Sequence, residues 1–227
     1  MKARFYSVAI GVALTLNSSL IAADTYTIDP AHSRIGFSAR HLGISNVKGR
    51  FKEFTGTLVL EGDELKEATA TIQVQSIDTG VPQRDAHLIT TDFFDAAHYP
   101  AITFKTKRVK NDGGHLLLIG DFTMRGVTKE ITLPLTLSKP IKDSSGTTRV
   151  GLEVSAKLNR KDYGISHTEF LETGVPDVAD EIELEINAEA TKERDPKTLQ
   201  HALKPNRLAS RFPSKWSAHT WIRADRQ

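Results

Sequence analysis

Apolar residues recur at every second position through most of residues 24–191, and this spacing predicts strands that bury one face. In residues 68–74, Ala, Ile and Val alternate with Thr and Gln, and in residues 182–190 Ile, Leu and Ala alternate mostly with Glu. Between positions 51 and 54 the parity of the apolar face switches, so a bulge or bend is expected there.

Short turn signals separate these segments and predict antiparallel neighbours. Gly, Asn and Asp cluster at residues 61–63, 111–114 and 143–146, and an Arg-Gly pair stands at 125–126. We predict about eight strands and one helix, which begins at Asp85 and runs through Thr90 toward Asp95. So little helix favours closure into a barrel or a two-sheet sandwich. The alternation leaves two options for a barrel interior, a packed core or a ligand cavity.

The first 23 residues are predicted to be a secretory signal peptide. Lys2 and Arg4 precede an uncharged apolar stretch, and Ala22 and Ala23 offer a cleavage site. The apolar stretch is shorter than the roughly 18 residues of a membrane-spanning helix. The alternatives are an uncleaved anchor and a buried first helix. We therefore expect a periplasmic protein whose working domain spans residues 24–191.

The chain contains 227 residues, among them 30 Lys and Arg, 28 Asp and Glu, and no cysteine. The lack of cysteine excludes disulfides, thiolate metal sites and cysteine nucleophiles. An exported barrel without cysteine must rely on hydrophobic packing.

The last 36 residues, 192–227, form a basic extension without strand periodicity. They contain nine Lys and Arg, three Asp and Glu, and both tryptophans, which gives a net charge of +6. We predict a disordered tail, and contact with an anionic membrane surface is the functional alternative. With two positive charges near the N-terminus and a chain total of +2, residues 24–191 carry −6.

Several motifs along the chain occur in the order and spacing of one known family. They are Tyr26-Thr27-Ile28-Asp29, His32-Ser33-Arg34-Ile35-Gly36-Phe37, Gly49-Arg50-Phe51, Arg84-Asp85-Ala86-His87-Leu88, Asp92-Phe93-Phe94-Asp95, Gly120-Asp121-Phe122-Thr123-Met124-Arg125-Gly126 and Asn159-Arg160-Lys161-Asp162-Tyr163-Gly164. Through this set, the chain resembles the YceI-like family of periplasmic polyisoprenoid-binding proteins.

The resemblance implies an all-β fold, an eight-stranded antiparallel lipocalin-like barrel with one short helix and a hydrophobic central cavity. It also implies a polyisoprenoid ligand, either a polyprenyl phosphate or the tail of a quinone. It does not imply a catalytic mechanism, and we expect neither catalysis nor a cofactor. No nucleic-acid partner is expected of an exported protein. The sequence does not decide the oligomeric state, and a homodimer is one option.

We expect aromatic and aliphatic side chains to contact the lipid tail, with plain core packing as the alternative for each. These residues are Phe37, Phe51, Phe54, Leu88, Phe93, Phe94, Phe104 and Phe122. The polar residues expected at the mouth or headgroup are Arg84, Asp85, His87, Arg160, Asp162 and Tyr163.

Asp92 and Asp95 belong to the same polar cluster beside the helix as Arg84, Asp85 and His87, and several of these residues also have structural interpretations. Asp85 can cap the helix, and Asp92 and Asp95 can satisfy turn backbone. Residues 159–180 lack strand periodicity, so we predict a lid over the opening, with a structural Arg–Asp pair as the alternative.

An enzyme or metal-dependent protein is the competing functional class. The eight histidines show no H-E-x-x-H or H-x-H spacing, so a metal site would need ligands from distant segments. The best acid–base group in the sequence is His87 with Asp85 and Asp92. We predict neither a metal site nor catalytic residues.

Overall fold

The alternating segments form antiparallel strands that curve until the first and last strands pair with each other. The computed structural model describes residues 22–112 and 115–193. The strands of these residues are β1 (Ala23–His41), β2 (Ser45–Phe51), β3 (Phe54–Glu61), β4 (Glu64–Gln73), β5 (Ile77–Asp78), β6 (Ala101–Asp112), β7 (His115–Met124), β8 (Val127–Leu137), β9 (Ile141–Lys142), β10 (Thr148–Asn159) and β11 (Val178–Lys192). The one α-helix of the described residues is α1 (Pro82–Leu88), and 3-10 turns occupy Val74–Ser76 and Arg160–Tyr163.

Three pairs of consecutive strands each occupy a single position in the barrel wall. β2 and β3 both pair with β1. On their other side, β4 pairs with β3 and β5 pairs with β2. β8 and β9 both pair with β10. Counted in this way, the described strands close into an eight-stranded antiparallel barrel, sealed by the ladder between β1 and β11. The predicted fold is therefore confirmed.

The parity switch seen in the sequence is a break in one bent strand. Residues 52 and 53 interrupt the strand between β2 and β3, and Phe51 and Phe54 are both buried on its two sides. β1 also bends, because its register against β11 shifts between Asp29 and Arg34. Such irregularities increase strand curvature, which a small closed barrel requires.

The helix begins earlier and ends earlier than the predicted span from Asp85 toward Asp95. Pro82 takes the first helical position, where its missing N–H costs nothing and its fixed φ suits the helix. Beyond Leu88 the chain continues as hydrogen-bonded turns, and Asp95 has a positive φ of 51° that a helix does not allow.

The two ends of the barrel differ. α1, the β7–β8 turn at residues 125–126 and the loop at residues 164–177 lie at one end, here called the helix end, because strands alternate in direction. The opposite end carries the β3–β4 hairpin and is called the hairpin end. Leu60, Val150 and Ala190 lie near the hairpin end and are almost wholly buried, so packed side chains fill the barrel there.

Among the described residues, no helix is long and apolar enough to cross a membrane. The predicted signal peptide, apart from Ala22 and Ala23, lies outside the described residues. The same holds for the predicted tail beyond Glu193.

Candidate functional site

A cavity of about 210 Å³ lies inside the barrel and extends to the helix end. Every second residue of the strands faces it, so the apolar row of each amphipathic strand forms its wall. Among its lining residues only Thr55, Thr69, Thr103 and Arg160 carry polar groups. The cavity therefore suits a hydrocarbon and offers little to a polar molecule.

All eight residues predicted to contact a lipid tail line this cavity. They are Phe37, Phe51, Phe54, Leu88, Phe93, Phe94, Phe104 and Phe122. The ring centroids of Phe37 and Phe51 lie 5.7 Å apart, and those of Phe51 and Phe94 lie 6.0 Å apart in an edge-to-face contact. These contacts order the aromatic wall near the helix end. Contact of these residues with a ligand stays a prediction.

The burial of the lining residues shows that the barrel is hollow. Leu133 and Leu135 point inward and are buried, as expected of a packed core. Phe37, Ala70 and Leu184 also line the cavity, yet they are only half-buried. An inward apolar side chain keeps accessible surface only where no neighbour packs against it. Of the two options that the alternation left, the structure has the cavity.

Arg84 and Asp85 lie at the start of α1 and are engaged by one threonine. The carboxylate of Asp85 accepts hydrogen bonds from the N–H of Thr79 at 2.9 Å and from its hydroxyl at 2.5 Å. Arg84 donates to the Thr79 hydroxyl at 2.8 Å and to its carbonyl oxygen at 3.0 Å. These bonds fix the helix to the segment that precedes it. Neither residue lines the cavity, and headgroup contact stays a prediction.

His87 and Asp92 meet at the edge of the cavity, and the structure adds a third polar residue to them. His87 Nε2 and Asp92 Oδ2 lie 3.0 Å apart, and the hydrogen bond lowers the pKa of Asp92 from its usual value. The imidazole of His167, from the β10–β11 loop, lies 5.5 Å from that of His87 between ring centroids. Asp85 accepts its hydrogen bonds from Thr79 instead. Of the acid–base group considered from the sequence, only His87 and Asp92 are therefore in contact. No local pattern in the sequence pointed to His167.

Arg160, which the sequence placed at the mouth, is 4% exposed and lies among backbone carbonyls. It donates to the oxygens of Ile165 at 3.1 Å, His167 at 2.6 Å and Ala179 at 3.1 Å. An ion pair with Asp180 at 3.2 Å adds to these bonds, and burial lowers the pKa of the guanidinium. Arg160 thus anchors both ends of the β10–β11 loop, which agrees with the structural alternative. The lid stays a prediction.

Asp162 and Tyr163 lie beside Arg160 but have different partners. Asp162 forms an ion pair with Lys129 of β8 at 2.8 Å. Tyr163 is 2% exposed, packs edge-to-face on Phe122 at 5.4 Å, and has its pKa raised by burial. Tyr163 is therefore part of the wall that closes the helix end between β7, β8 and the loop.

Arg125, in the β7–β8 turn, is a positioning residue that the sequence did not reveal. Its guanidinium donates to the carbonyl oxygen of Thr91 at 2.7 Å and to that of Gly164. It therefore ties the turn after α1 to the β10–β11 loop. Only the motif in which Arg125 stands hinted at a role.

Comparison with known proteins identifies relatives whose similarity covers the barrel residues. A family model for the YceI-like domain matches residues 26–190. The chain is 36% identical over 180 residues to Protein YceI of Escherichia coli O157:H7, covering 78% of this chain and 91% of that protein. It is 34% identical over 198 residues to a UPF0312 protein of Enterobacter sp. (strain 638), covering 86% and 100%.

Two solved structures share the barrel. The YCEI protein of Campylobacter jejuni superposes with a TM-score of 0.59 at 32% identity, covering 66% of this chain and 88% of that one. A domain of Saccharophagus degradans, described as polyisoprenoid binding and implicated in plant cell wall breakdown, superposes with a TM-score of 0.56 at 18% identity. That match covers 74% of this chain and 98% of the domain, and it carries the fold alone.

Proposed function

The chain belongs to the YceI-like family, and from that premise we propose that it is an exported, non-catalytic carrier of a long polyisoprenoid lipid. The ligand is a polyprenyl phosphate or a quinone whose isoprenoid tail occupies the barrel. The Saccharophagus degradans domain, which shares the barrel, is described as polyisoprenoid binding, and the apolar cavity of this chain suits the same class of ligand.

The observation that carries this proposal is the apolar cavity at the helix end. Transfer of each methylene of a tail from water contributes roughly 0.8 kcal/mol before ordering costs. A tail of several isoprene units therefore gains its affinity from the wall alone. The headgroup stays near α1 and the β10–β11 loop, where polar residues replace apolar ones.

Extraction of the protein from its native envelope tests the ligand. We expect organic extracts of the purified full-length chain to contain an isoprenoid lipid in near-stoichiometric amount, identified by mass spectrometry. An unrelated exported protein taken through the same purification is the control for carried-over membrane lipid. Repeated recovery of empty protein that also fails to take up polyprenyl phosphates or quinones would contradict the proposal.

Export is part of the proposal and rests on residues 1–23, which have the composition of a signal peptide. We expect the protein in the periplasmic fraction, with a mature N-terminus at Asp24. Mass measurement of the purified protein checks this, since retention of the leader in a soluble cytoplasmic form would contradict it.

Peripheral membrane contact through the basic tail at residues 192–227 is the last part of the proposal. Sedimentation with anionic vesicles tests it on the full chain and on a variant that ends at Thr191. Equal binding by both would remove the membrane role of the tail and leave the lipid-binding barrel unaffected.

A further inference from the structure

Three potential metal ligands from two distant segments converge at the edge of the cavity. His87 stands in the last turn of α1, Asp92 in the turn that follows, and His167 in the β10–β11 loop. One nitrogen from each imidazole and one oxygen from the carboxylate all lie within 4.8 Å of one another. Among the described residues, this is the one group of three His, Asp or Glu side chains with that spacing.

The surrounding structure holds these side chains in place. Phe93 packs against both imidazoles, with centroid distances of 5.1 Å to His87 and 5.0 Å to His167. Buried Arg160 donates to the backbone oxygen of His167, and Arg125 fixes the turn that carries Asp92 through the carbonyl oxygen of Thr91. The side chains of His87 and Asp92 are about half exposed, with exposed fractions of 50% and 49%. Packing on the imidazoles and the backbone contacts at Thr91 and His167 restrain the group, which reduces the ordering cost of binding an ion.

The chemistry of the three groups selects a class of metal. In zinc sites, imidazole nitrogens and carboxylate oxygens bind at about 2.0–2.2 Å, so neighbouring ligand atoms lie about 3.3–3.5 Å apart. Small side-chain rotations bring His87, Asp92 and His167 to that spacing from their present separation of at most 4.8 Å. Two nitrogen ligands favour zinc, cobalt, nickel or copper over magnesium and calcium, which prefer oxygen.

We propose that His87, Asp92 and His167 form a binding site for a divalent transition metal of the zinc class. Three protein ligands leave at least one coordination position for water or another oxygen ligand. The site borders the wall of the cavity, since Leu88 and Phe93, neighbours of His87 and Asp92 in the chain, both line it. The proposal is independent of lipid binding.

Two other His–Asp pairs of the barrel provide matched controls. His32 and Asp29 lie 2.8 Å apart, and His98 and Asp95 also lie 2.8 Å apart, each as close as His87 and Asp92. Neither pair gains a third ligand within the part of the chain that the structure describes. If pairing alone bound metal, all three pairs would contribute equally.

The test is a calorimetric titration of untagged full-length protein with zinc chloride. We expect one tight zinc ion per chain, with affinity at least tenfold weaker in His87→Ala, Asp92→Asn and His167→Ala. Affinity in His98→Ala should match the wild type. A His201→Ala/His219→Ala variant removes the histidines of the tail and should also keep the tight site. Far-UV circular dichroism checks that every variant is folded.

Cobalt provides a second, spectroscopic readout of the same ligand set in variants that are shown to be folded. We expect visible absorption of bound Co²⁺ in the wild type and in His98→Ala, and its loss in folded His167→Ala. Wild-type affinity and stoichiometry in both His87→Ala and His167→Ala would overturn the proposal. So would the absence of zinc binding at millimolar concentration.

Discussion

Filling the cavity from its wall should weaken lipid binding without touching the outer surface. Ala70 of β4 faces the cavity, stays half-buried, and pairs with Gly56 and Phe104 on the flanking strands. In Ala70→Phe, the added ring projects into the space that the tail would use. Thr71 is the next residue and points to the opposite face, so Thr71→Phe adds similar bulk outside the barrel.

The size of the effect follows from the carbon atoms displaced. A ring that excludes one five-carbon isoprene unit removes up to about 4 kcal/mol, at roughly 0.8 kcal/mol for each carbon. That upper limit corresponds to a nearly thousandfold loss of affinity. A flexible tail can shift along the cavity and avoid part of the overlap, so we expect a loss of about tenfold. Overpacking can also destabilise the barrel by about 1–3 kcal/mol, so the folded fraction must be measured.

The assay is an equilibrium titration with polyprenyl phosphate presented in vesicles, with bound lipid quantified by mass spectrometry. Ala70→Phe should bind at least tenfold more weakly than the wild type, and Thr71→Phe should bind equally well. Thermal melting confirms that both variants are folded at the assay temperature. Affinity within twofold of the wild type in folded Ala70→Phe would refute the assignment of the tail to this cavity.

Three further predictions concern stability. Replacing Arg160 with Met should lower the free energy of unfolding in urea by about 3–5 kcal/mol, because several buried carbonyl oxygens lose their donor. A loss below 1 kcal/mol would refute its anchoring role. Gly120→Ala should cost about 3 kcal/mol, because a Cβ would overlap the backbone of β6, whereas Gly62→Ala should cost about 1–2 kcal/mol, because it meets only the strain of a positive φ. Equal melting temperatures in these two variants would contradict this. Arg149 holds the pKa of Asp143 well below its usual range, so this pair stabilises the fold above about pH 4 and loses that contribution as the pH falls further. In Arg149→Met, the melting temperature should therefore decrease less steeply than in the wild type as the pH falls below about 4. An unchanged decrease would count against the pair.

The face of each inward residue could be predicted because the side-chain period of a strand is fixed. Phe122 was assigned to the inward face from the alternation of its own segment, whereas Phe104 was included among the aromatic residues expected to contact the tail. The structure pairs them directly across β6 and β7. Alternation places a side chain on the correct face whatever its partner, so the cavity wall followed from local pattern.

The helix end could not be predicted in the same way, because its contacts come from loops without periodicity. Arg160 was placed at the mouth because it stands at the start of residues 159–180, a span without strand periodicity that was expected to cover the opening. Its burial depends on carbonyl oxygens from residues 165–179, which converge only after the barrel closes. His167 lies in this loop and reaches His87 only when the barrel closes, so no spacing in the sequence linked the two residues.

The interior is hollow because the inward side chains do not fill the volume that the eight strands enclose. The alternation of apolar residues does not encode this difference in volume. Small residues at Ala39, Ala70 and Ala188 line the cavity and leave space that larger residues would fill. Apolar atoms around such a space lack contacts that a packed core would supply, which costs stability. A bound tail would restore those contacts and bind only the folded state, so it would stabilise the barrel in proportion to the logarithm of its concentration. Lipid binding and folding would then depend on the same wall, and a chain without disulfides would gain stability from its ligand.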